Sequence, residues 1–361
     1  CEALDMKKLT VPGILSLTVL SASGAFAGFE GAPKGPFTGN PVFGPDTLSA
    51  LLRVEYGVDT NVQLAPDKTF FQNPPGTRQD TESDFARLIF DGHYLHSLSA
   101  TRSVGLALTG SAQFYLDTIP GSPPGIGTYH DYNTFILNPT LFYNVALEGV
   151  DVQAYYQFRW EQGIDVAAIG LEGHTVGFAL SHDVSPEWRI RGGASASFND
   201  YNVEFPNMVL NDRDATHVRM EAGADYFIQG GRAIVSATAH YAINDSEGLN
   251  WAYDAWGVEL GVKGAIVPRV FGSVKTGYQH RDYGAGFQSP FVTAPGRTEQ
   301  DIVTAEARLS YQIDRRFSVD AFVQHADYSA NDNPGGGVPP DSAFFEGDKT
   351  VFGVGVNVKL Y

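Results

Sequence analysis

The stretch Val150-Asp151-Val152-Gln153-Ala154-Tyr155-Tyr156-Gln157-Phe158-Arg159-Trp160-Glu161 decides the fold. Its even positions, Val150, Val152, Ala154, Tyr156, Phe158 and Trp160, are apolar or aromatic, and its odd positions hold Asp151, Gln153, Tyr155, Gln157, Arg159 and Glu161. Successive side chains of a strand point to opposite faces, so a period of two separates an apolar face from a charged one. Soluble strands run about 5 to 6 residues; this alternation lasts long enough for a tilted strand to cross a bilayer. A sandwich core would accept Asp151, Arg159 and Glu161 only at a large desolvation cost, whereas a wet lumen accepts them readily.

The same period recurs along the chain. Val303, Ala305, Ala307, Leu309, Tyr311 and Ile313 alternate with Thr304, Glu306, Arg308, Ser310 and Gln312. Val218, Met220, Ala222, Ala224 and Tyr226 oppose Arg219, Glu221 and Asp225; Trp256, Val258, Leu260 and Val262 oppose Glu259 and Lys263; Phe352, Val354, Val356, Val358 and Leu360 oppose Asn357 and Lys359. Helical i, i+3, i+4 spacing does not persist anywhere, and no apolar run after the N-terminus approaches the roughly 20 residues of a membrane helix.

The connections add a second rhythm. Short turns fall at Ser99-Ala100-Thr101, Glu148-Gly149, Ser185-Pro186-Glu187, Gln229-Gly230-Gly231, Val267-Pro268-Arg269 and Asp314-Arg315. They alternate with longer Gly-, Pro- and Asp-rich loops at 65–81, 119–129, 163–170, 203–212, 246–250, 284–297 and 329–347. Outer-membrane barrels have short periplasmic turns and long external loops. The segments between predict an all-β fold: a transmembrane, antiparallel, up-and-down barrel of about fourteen strands over residues 47–361, with both termini in the periplasm. Tyr56, Tyr94, Trp160, Trp188, Tyr226, Tyr241, Trp256 and Tyr278 fall near segment ends, where interfacial girdles belong. The terminal Tyr361 resembles the aromatic signal read by barrel-assembly machinery, although it is one residue out of phase with the apolar face ending at Leu360.

The N-terminus reads as an address. Lys7 and Lys8 precede a mostly apolar run from Leu9 to Leu20, and Ala25-Phe26-Ala27 offers small residues for cleavage, so residues 1–27 are expected to be a signal peptide with a few residues upstream of Met6. Residues 28–46, dense in Gly and Pro, read as a periplasmic lead-in. The single cysteine, Cys1, precedes Met6, leaving no thiol chemistry downstream. Gly (40), Phe (24) and Tyr (17) are abundant, as turns and girdles require. The net charge of −17 is the same without residues 1–27, because Glu2 and Asp5 cancel Lys7 and Lys8, and it argues against nucleic acid as a partner. The expected setting is a Gram-negative outer membrane, with its lipid and lipopolysaccharide and the assembly machinery as partners.

Val54-Glu55-Tyr56-Gly57-Val58-Asp59-Thr60-Asn61-Val62 resembles the Gly-Tyr-Asp-Ser-Asn-Val opening of barrels in the surface lipoprotein assembly modifier family, most specifically at Asp59 to Val62. Asn211-Asp212-Arg213-Asp214 and Arg297-Thr298-Glu299-Gln300-Asp301, each before a strand, are similar in texture. The resemblance implies a barrel of about fourteen strands acting as a conduit or translocon component, without that family's helical repeat domain, for which the lead-in is too short.

Catalytic signatures are missing from the sequence: there is no Gly-x-Ser-x-Gly elbow, His-Glu-x-x-His pair or phosphate loop. His93, in phase with Arg87 and Asp91, is the best single candidate for chemistry and reads more simply as a lumen histidine. Asp327, Asn331 and Asp332 lack calcium-loop spacing, and Gly335-Gly336-Gly337 lacks the context of a phosphate cradle. No enzyme activity, metal or cofactor is expected.

The site-level expectation rests on the inward phase. Arg159, Arg189, Arg191, Arg219, Lys275, Arg281 and Arg308 share it with Asp151, Glu161, Glu221, Asp225, Glu259 and Glu306. Two arrangements are open: opposed basic and acidic walls that set up a transverse field, or a network of neighbouring ion pairs that fills the lumen. The first suits a porin-like channel or export conduit for polar solutes or a secreted polymer or protein. The second suits a structural or assembly barrel with a plugged lumen and partner-binding loops. An outer-membrane hydrolase is the remote third reading.

Overall fold

The computed structural model describes residues 46–60, 82–117, 133–163, 170–201, 213–229, 231–248, 251–284, 298–331 and 347–360. The expected signal peptide, nearly all of the lead-in, Asn61-Val62, Asp332, the Gly335 to Gly337 run, Tyr361 and most of the long loops lie outside these residues. The strands are β1 (Thr47–Asp59), β2 (Ser83–Ser99), β3 (Arg102–Tyr115), β4 (Thr134–Leu147), β5 (Val150–Gly163), β6 (Gly170–Asp183) and β7 (Trp188–Tyr201), followed by β8 (Ala215–Ile228), β9 (Ala233–Ser246), β10 (Tyr253–Val267), β11 (Val270–Asp282), β12 (Glu299–Gln312), β13 (Phe317–Ala330) and β14 (Gly347–Lys359).

Each strand pairs antiparallel with its neighbours in sequence, and β1 closes on β14 from Leu51 opposite Lys359 to Asp59 opposite Val351. The result is a closed fourteen-stranded up-and-down barrel, the count that the turn rhythm predicts. Fourteen strands spaced about 4.8 Å apart and tilted about 40° give a backbone radius of about 14 Å, a bore wide enough to hold inward side chains from every strand.

The short turns and the start of β1 and end of β14 share one end of the barrel, the turn end; the long connections share the other, the loop end. Local chemistry explains the tight turns. Gly149, alone with Glu148 between β4 and β5, takes φ +77°, and Arg269 between β10 and β11 is held at φ 69°, a left-handed conformation that costs a non-glycine residue energy. Between β12 and β13, the Asp314 carboxylate accepts the backbone N–H groups of Arg316 (2.7 Å) and Phe317 (2.9 Å). These bonds hold its carboxyl below the ordinary carboxylate range.

Pleating sends one phase of every strand outward. Leu106, Leu141, Val176, Leu260, Val274 and Val354 are all about half exposed there, an apolar surface that water would penalise and lipid would not. Aromatic residues bound this belt. Tyr56, Trp160, Tyr241, Trp256 and Tyr278 lie toward the loop end, and Tyr94, Trp188 and Tyr226 toward the turn end. Tyr94 sits opposite Leu48, eight residues along β1 from Tyr56, which places the two rings about 20 Å apart along the axis at the usual rise and tilt. A closed antiparallel barrel with a belt of this kind is an outer-membrane architecture. Trp188 packs on Tyr226 (centroids 4.8 Å) and Trp256 on Tyr278 (5.4 Å), so girdle residues also brace neighbouring strands.

Candidate functional site in the barrel lumen

The inward phase is polar but uneven. On β13, β14, β1 and β2 it is packed shut. Glu55 of β1, whose side chain has no exposure, is gripped from two sides: Arg87 of β2 donates from Nε at 2.7 Å, and Arg308 of β12 donates from Nη1 and Nη2 at 3.1 and 3.2 Å. Arg308 Nη1 also reaches Asp320 of β13 at 2.9 Å, while Arg53 of β1 donates to Asn357 of β14 and lies 3.7 Å from Glu55. The guanidinium of Arg308 lies 4.8 Å from the centre of the Phe322 ring, and that of Arg87 lies 5.4 Å from Phe85. Arg308 therefore bridges from β12 past β13 and β14 to β1, and the closing seam of the barrel is bound by buried charge as well as by its ladder.

Toward the loop end the seam continues with Asp59, which accepts from Tyr115 Oη (2.7 Å) and pairs with Lys349 Nζ (2.7 Å). Asp59 is also the aspartate of the patch that carries the family resemblance, and its position here is structural. Arg53, Glu55, Asp59, Asp320 and Lys349 were not picked out as site residues in the sequence, although the run Arg53, Glu55, Gly57, Asp59 has the inward phase that would have found four positions of this wall. Two further inward clusters are apolar: Leu95, Ala107, Phe142 and Tyr155 on β2 to β5, and Ala242, Tyr253, Ala255 and Tyr283 around β9 to β11.

From β7 to β12 the inner wall differs. Gly193, Ser195, Gly223, Ser236, Thr238, Gly261, Ser273, Gly277 and Thr304 are small and partly exposed, leaving room between charged side chains. Arg191 of β7 lies 3.4 Å from Asp225 of β8 and donates to Thr238 of β9 at 2.5 Å. Arg219 lies 3.3 Å from Glu221, two residues along the same strand, and Lys275 of β11 lies 2.8 Å from Glu259 of β10, with Glu306 of β12 opposite it in register. Glu221 and Lys275 keep about a third of their side-chain surface exposed, 32 and 36%.

The other residues expected to line the lumen also lie in the inward phase. Arg159 and Glu161 pair on β5 (2.5 Å); Arg189 bonds Asp183 at the turn end (2.6 Å), near which Asp151 also sits; Arg281 lies over the Tyr253 ring at the loop end (4.6 Å). Basic and acidic residues are thus interleaved as neighbours rather than set on opposite walls. Of the two arrangements left open by the sequence, the geometry is that of neighbouring pairs, because two-residue and one-strand offsets bring Arg159, Arg191, Arg219, Lys275 and Arg308 each within reach of an anion. His93 pairs with Asp91 on its own strand (2.5 Å), and among the described residues no group of three or more His, Cys, Asp or Glu could hold a metal ion.

Near the loop end the inner position is buried on strand after strand: Asp59, Ser83, Tyr115, Thr134, Glu161 and Leu171 on β1 to β6, and Ala215, Ser246, Tyr253, Arg281, Gln300, Ala326 and Lys349 on β8 to β14. At the turn end the inner face is wetter, with the Asp183 side chain 54% exposed.

No protein-family pattern matches this chain, and no curated protein matches it in sequence. Among solved structures it is similar to the outer membrane channel DcaP of Acinetobacter baumannii, with 12% identity, a TM-score of 0.46, and coverage of 87% of this chain and 97% of that one. It is also similar to Salmonella typhi OmpF in complex with daunomycin (10%, 0.46, 87% and 97%), and to a Pseudomonas aeruginosa FadL homologue (9%, 0.43, 88% and 90%).

Proposed function

We propose that this barrel is an outer-membrane channel for small polar solutes, and that its conducting path follows the inner wall from β7 to β12. The supporting observation is the pairing of small, partly exposed inner residues with partly exposed charges such as Glu221, Glu259 and Lys275 on that wall, while packed side chains of the seam wall and of the Leu95, Ala107, Phe142 and Tyr155 cluster narrow the bore from the other side. A bore reduced in this way favours small solutes over a secreted polymer. Reconstitution into planar bilayers tests the reading: discrete conductance steps are expected, and replacing Gly261, where an added Cβ would meet nothing nearer than 3.7 Å, with Trp should put a ring into the path and reduce their size by about half or more.

A second reading has its own observation. Burial of the inner positions at the loop end, together with the neighbouring ion pairs of the lumen, suits a barrel whose bore is stopped by its own side chains and whose role is structural or assembly-related. That reading expects silence in the bilayer at every voltage from protein that is folded by its electrophoretic mobility shift.

A further inference from the structure

The six tight turns carry unequal charge. The first three, residues 100–101, 148–149 and 184–187, hold two carboxylates, Glu148 and Glu187, and no lysine or arginine. The last three, residues 229–232, 268–269 and 313–316, hold four arginines, Arg232, Arg269, Arg315 and Arg316. Their one carboxylate, Asp314, is occupied with the amides of its own turn. All four arginines are exposed. Arg269 takes a left-handed φ that glycine would adopt at no cost, so its side chain is kept against backbone strain.

The lipid-facing wall beside this basic arc is hollowed. On β10 to β13 the outward phase places the small residues Gly264, Gly272, Ala307 and Ala321 among larger ones such as Ile266 and Val323, and together they line an apolar groove of about 600 Å³. That volume lies within the roughly 300–1,000 Å³ of ligand-sized pockets. The lining runs 262–266, 272–274, 307–309 and 321–323 each begin and end on an outward position, which puts the groove on the lipid side of the wall. Gly272 and Ala321 lie three and five residues from Arg269 and Arg316 along the chain, so the groove extends about 8 to 13 Å into the membrane from the arc. Ala307 lies between Val274 and Val323 in register.

An apolar groove that ends at a cluster of guanidinium groups matches a molecule with an acyl chain and a phosphate. Barrels of this class turn their short-turn end to the periplasm, the leaflet opposite the one that holds lipopolysaccharide. Guanidinium groups bind phosphate oxygens through paired hydrogen bonds, and a cluster of cations attracts headgroups of net negative charge over zwitterionic ones. We propose that groove and arc together hold a phospholipid of net negative charge in the periplasmic leaflet, with an acyl chain along Ala307 and the phosphate among Arg269, Arg315 and Arg316. The lumen plays no part in this site.

Native mass spectrometry of the full chain, released from detergent after incubation with equal amounts of dioleoyl phosphatidylglycerol and dioleoyl phosphatidylethanolamine, tests the assignment. The acyl chains are identical, so only the headgroups are compared. The wild type should retain phosphatidylglycerol over phosphatidylethanolamine by about threefold or more. Arg269→Gly combined with Arg316→Gln should bring that ratio to near one, while Arg102→Gln, which removes an exposed cation from the same end of the barrel on β3, should leave it unchanged. Ala307→Trp, which fills the groove from the lipid side, should lower phosphatidylglycerol retention about threefold. The electrophoretic mobility shift checks that each variant is folded. Equal retention of the two lipids by the wild type, or an arginine double variant as selective as the wild type, overturns the proposal. So does an Arg102 variant that loses selectivity to the same degree, which would show diffuse attraction to the rim. A dimer or trimer that dissociates on Ala307→Trp while phosphatidylglycerol retention is unchanged would put a second copy of the chain on the groove and also overturn it.

Discussion

The two walls of this barrel use the same residue types to opposite ends. On the seam wall, Arg53, Glu55, Arg87, Arg308 and Asp320 are dry and interlocked across four strand boundaries. On the wall from β7 to β12, Arg191, Arg219 and Lys275 pair locally with their carboxylates beside small residues, and Glu221, Glu259 and Lys275 stay partly wet. Burial sets the difference. A desolvated ion pair that loses one partner leaves an uncompensated charge, whereas a wet pair that loses one partner is rescued by solvent. The first wall is therefore expected to govern stability and the second permeation.

The largest effect should come from splitting the seam. Glu55→Gln removes the charge that Arg87 and Arg308 grip and should cost about 3–5 kcal/mol of folding stability. Glu259→Gln on the wetter wall, which leaves the more exposed Lys275 beside Glu306, should cost under about 1 kcal/mol. Urea unfolding in lipid vesicles measures both, and equal costs would erase the distinction between the walls. Lys349→Met should behave like the Glu55 variant, because it strands Asp59 in a buried position, and Asp59→Asn in the same chain should recover part of the loss.

A smaller effect should separate inward glycines of packed and open regions. At Gly105 a methyl group would overlap the Phe142 ring and come within 2.7 Å of the Tyr94 carbonyl oxygen, whereas at Gly261 the nearest heavy atom would be 3.7 Å away. Gly105→Ala is expected to cost about 1–3 kcal/mol by overpacking, and Gly261→Ala to stay within about 0.5 kcal/mol of the wild type. The same unfolding assay reads both, and a Gly261 variant as damaged as the Gly105 one would show that the second wall is also packed.

The sequence showed which residues face inward but not which of them meet. Phase alone placed Arg308 and Glu306 on one face of one strand. Only closure between β1 and β14 brings Arg308 to Glu55, 253 residues away, and no local pattern encodes a contact of that separation. The strand count and the turn end were legible because turns such as Glu148-Gly149 are local chemistry. The unevenness of the lumen was not, because it depends on where bulky side chains such as Phe85, Phe142 and Phe322 stack from different strands. Arg219 and Glu221 were readable as neighbours, since two residues on one strand always share a face.

At the turn end, outside the membrane span, the comparison should weaken. Asp46 precedes β1 on the seam side, where it meets His96 Nδ1 at 2.9 Å and accepts the Ser97 N–H at 3.2 Å; Asp314 serves the β12–β13 turn. Both carboxyls are held below their ordinary value of 3.8, Asp46 first by His96 and then by Ser97, Asp314 by the Arg316 and Phe317 amides. A lowered folded pKa means that the stabilising contacts are fully present above 3.8 and fade as pH falls through the folded value. Both groups are solvent-exposed, so the consequence is local. Amide exchange at Ser97, Arg316 and Phe317, corrected for intrinsic rates, should accelerate only below about pH 4, and Asp46→Ala and Asp314→Ala should each remove that pH dependence at their own amides alone. Acid loosening that spread from these amides along β1 and β2, or along β12 and β13, would mean that the seam's dependence on its charges extends to the turn end of the barrel.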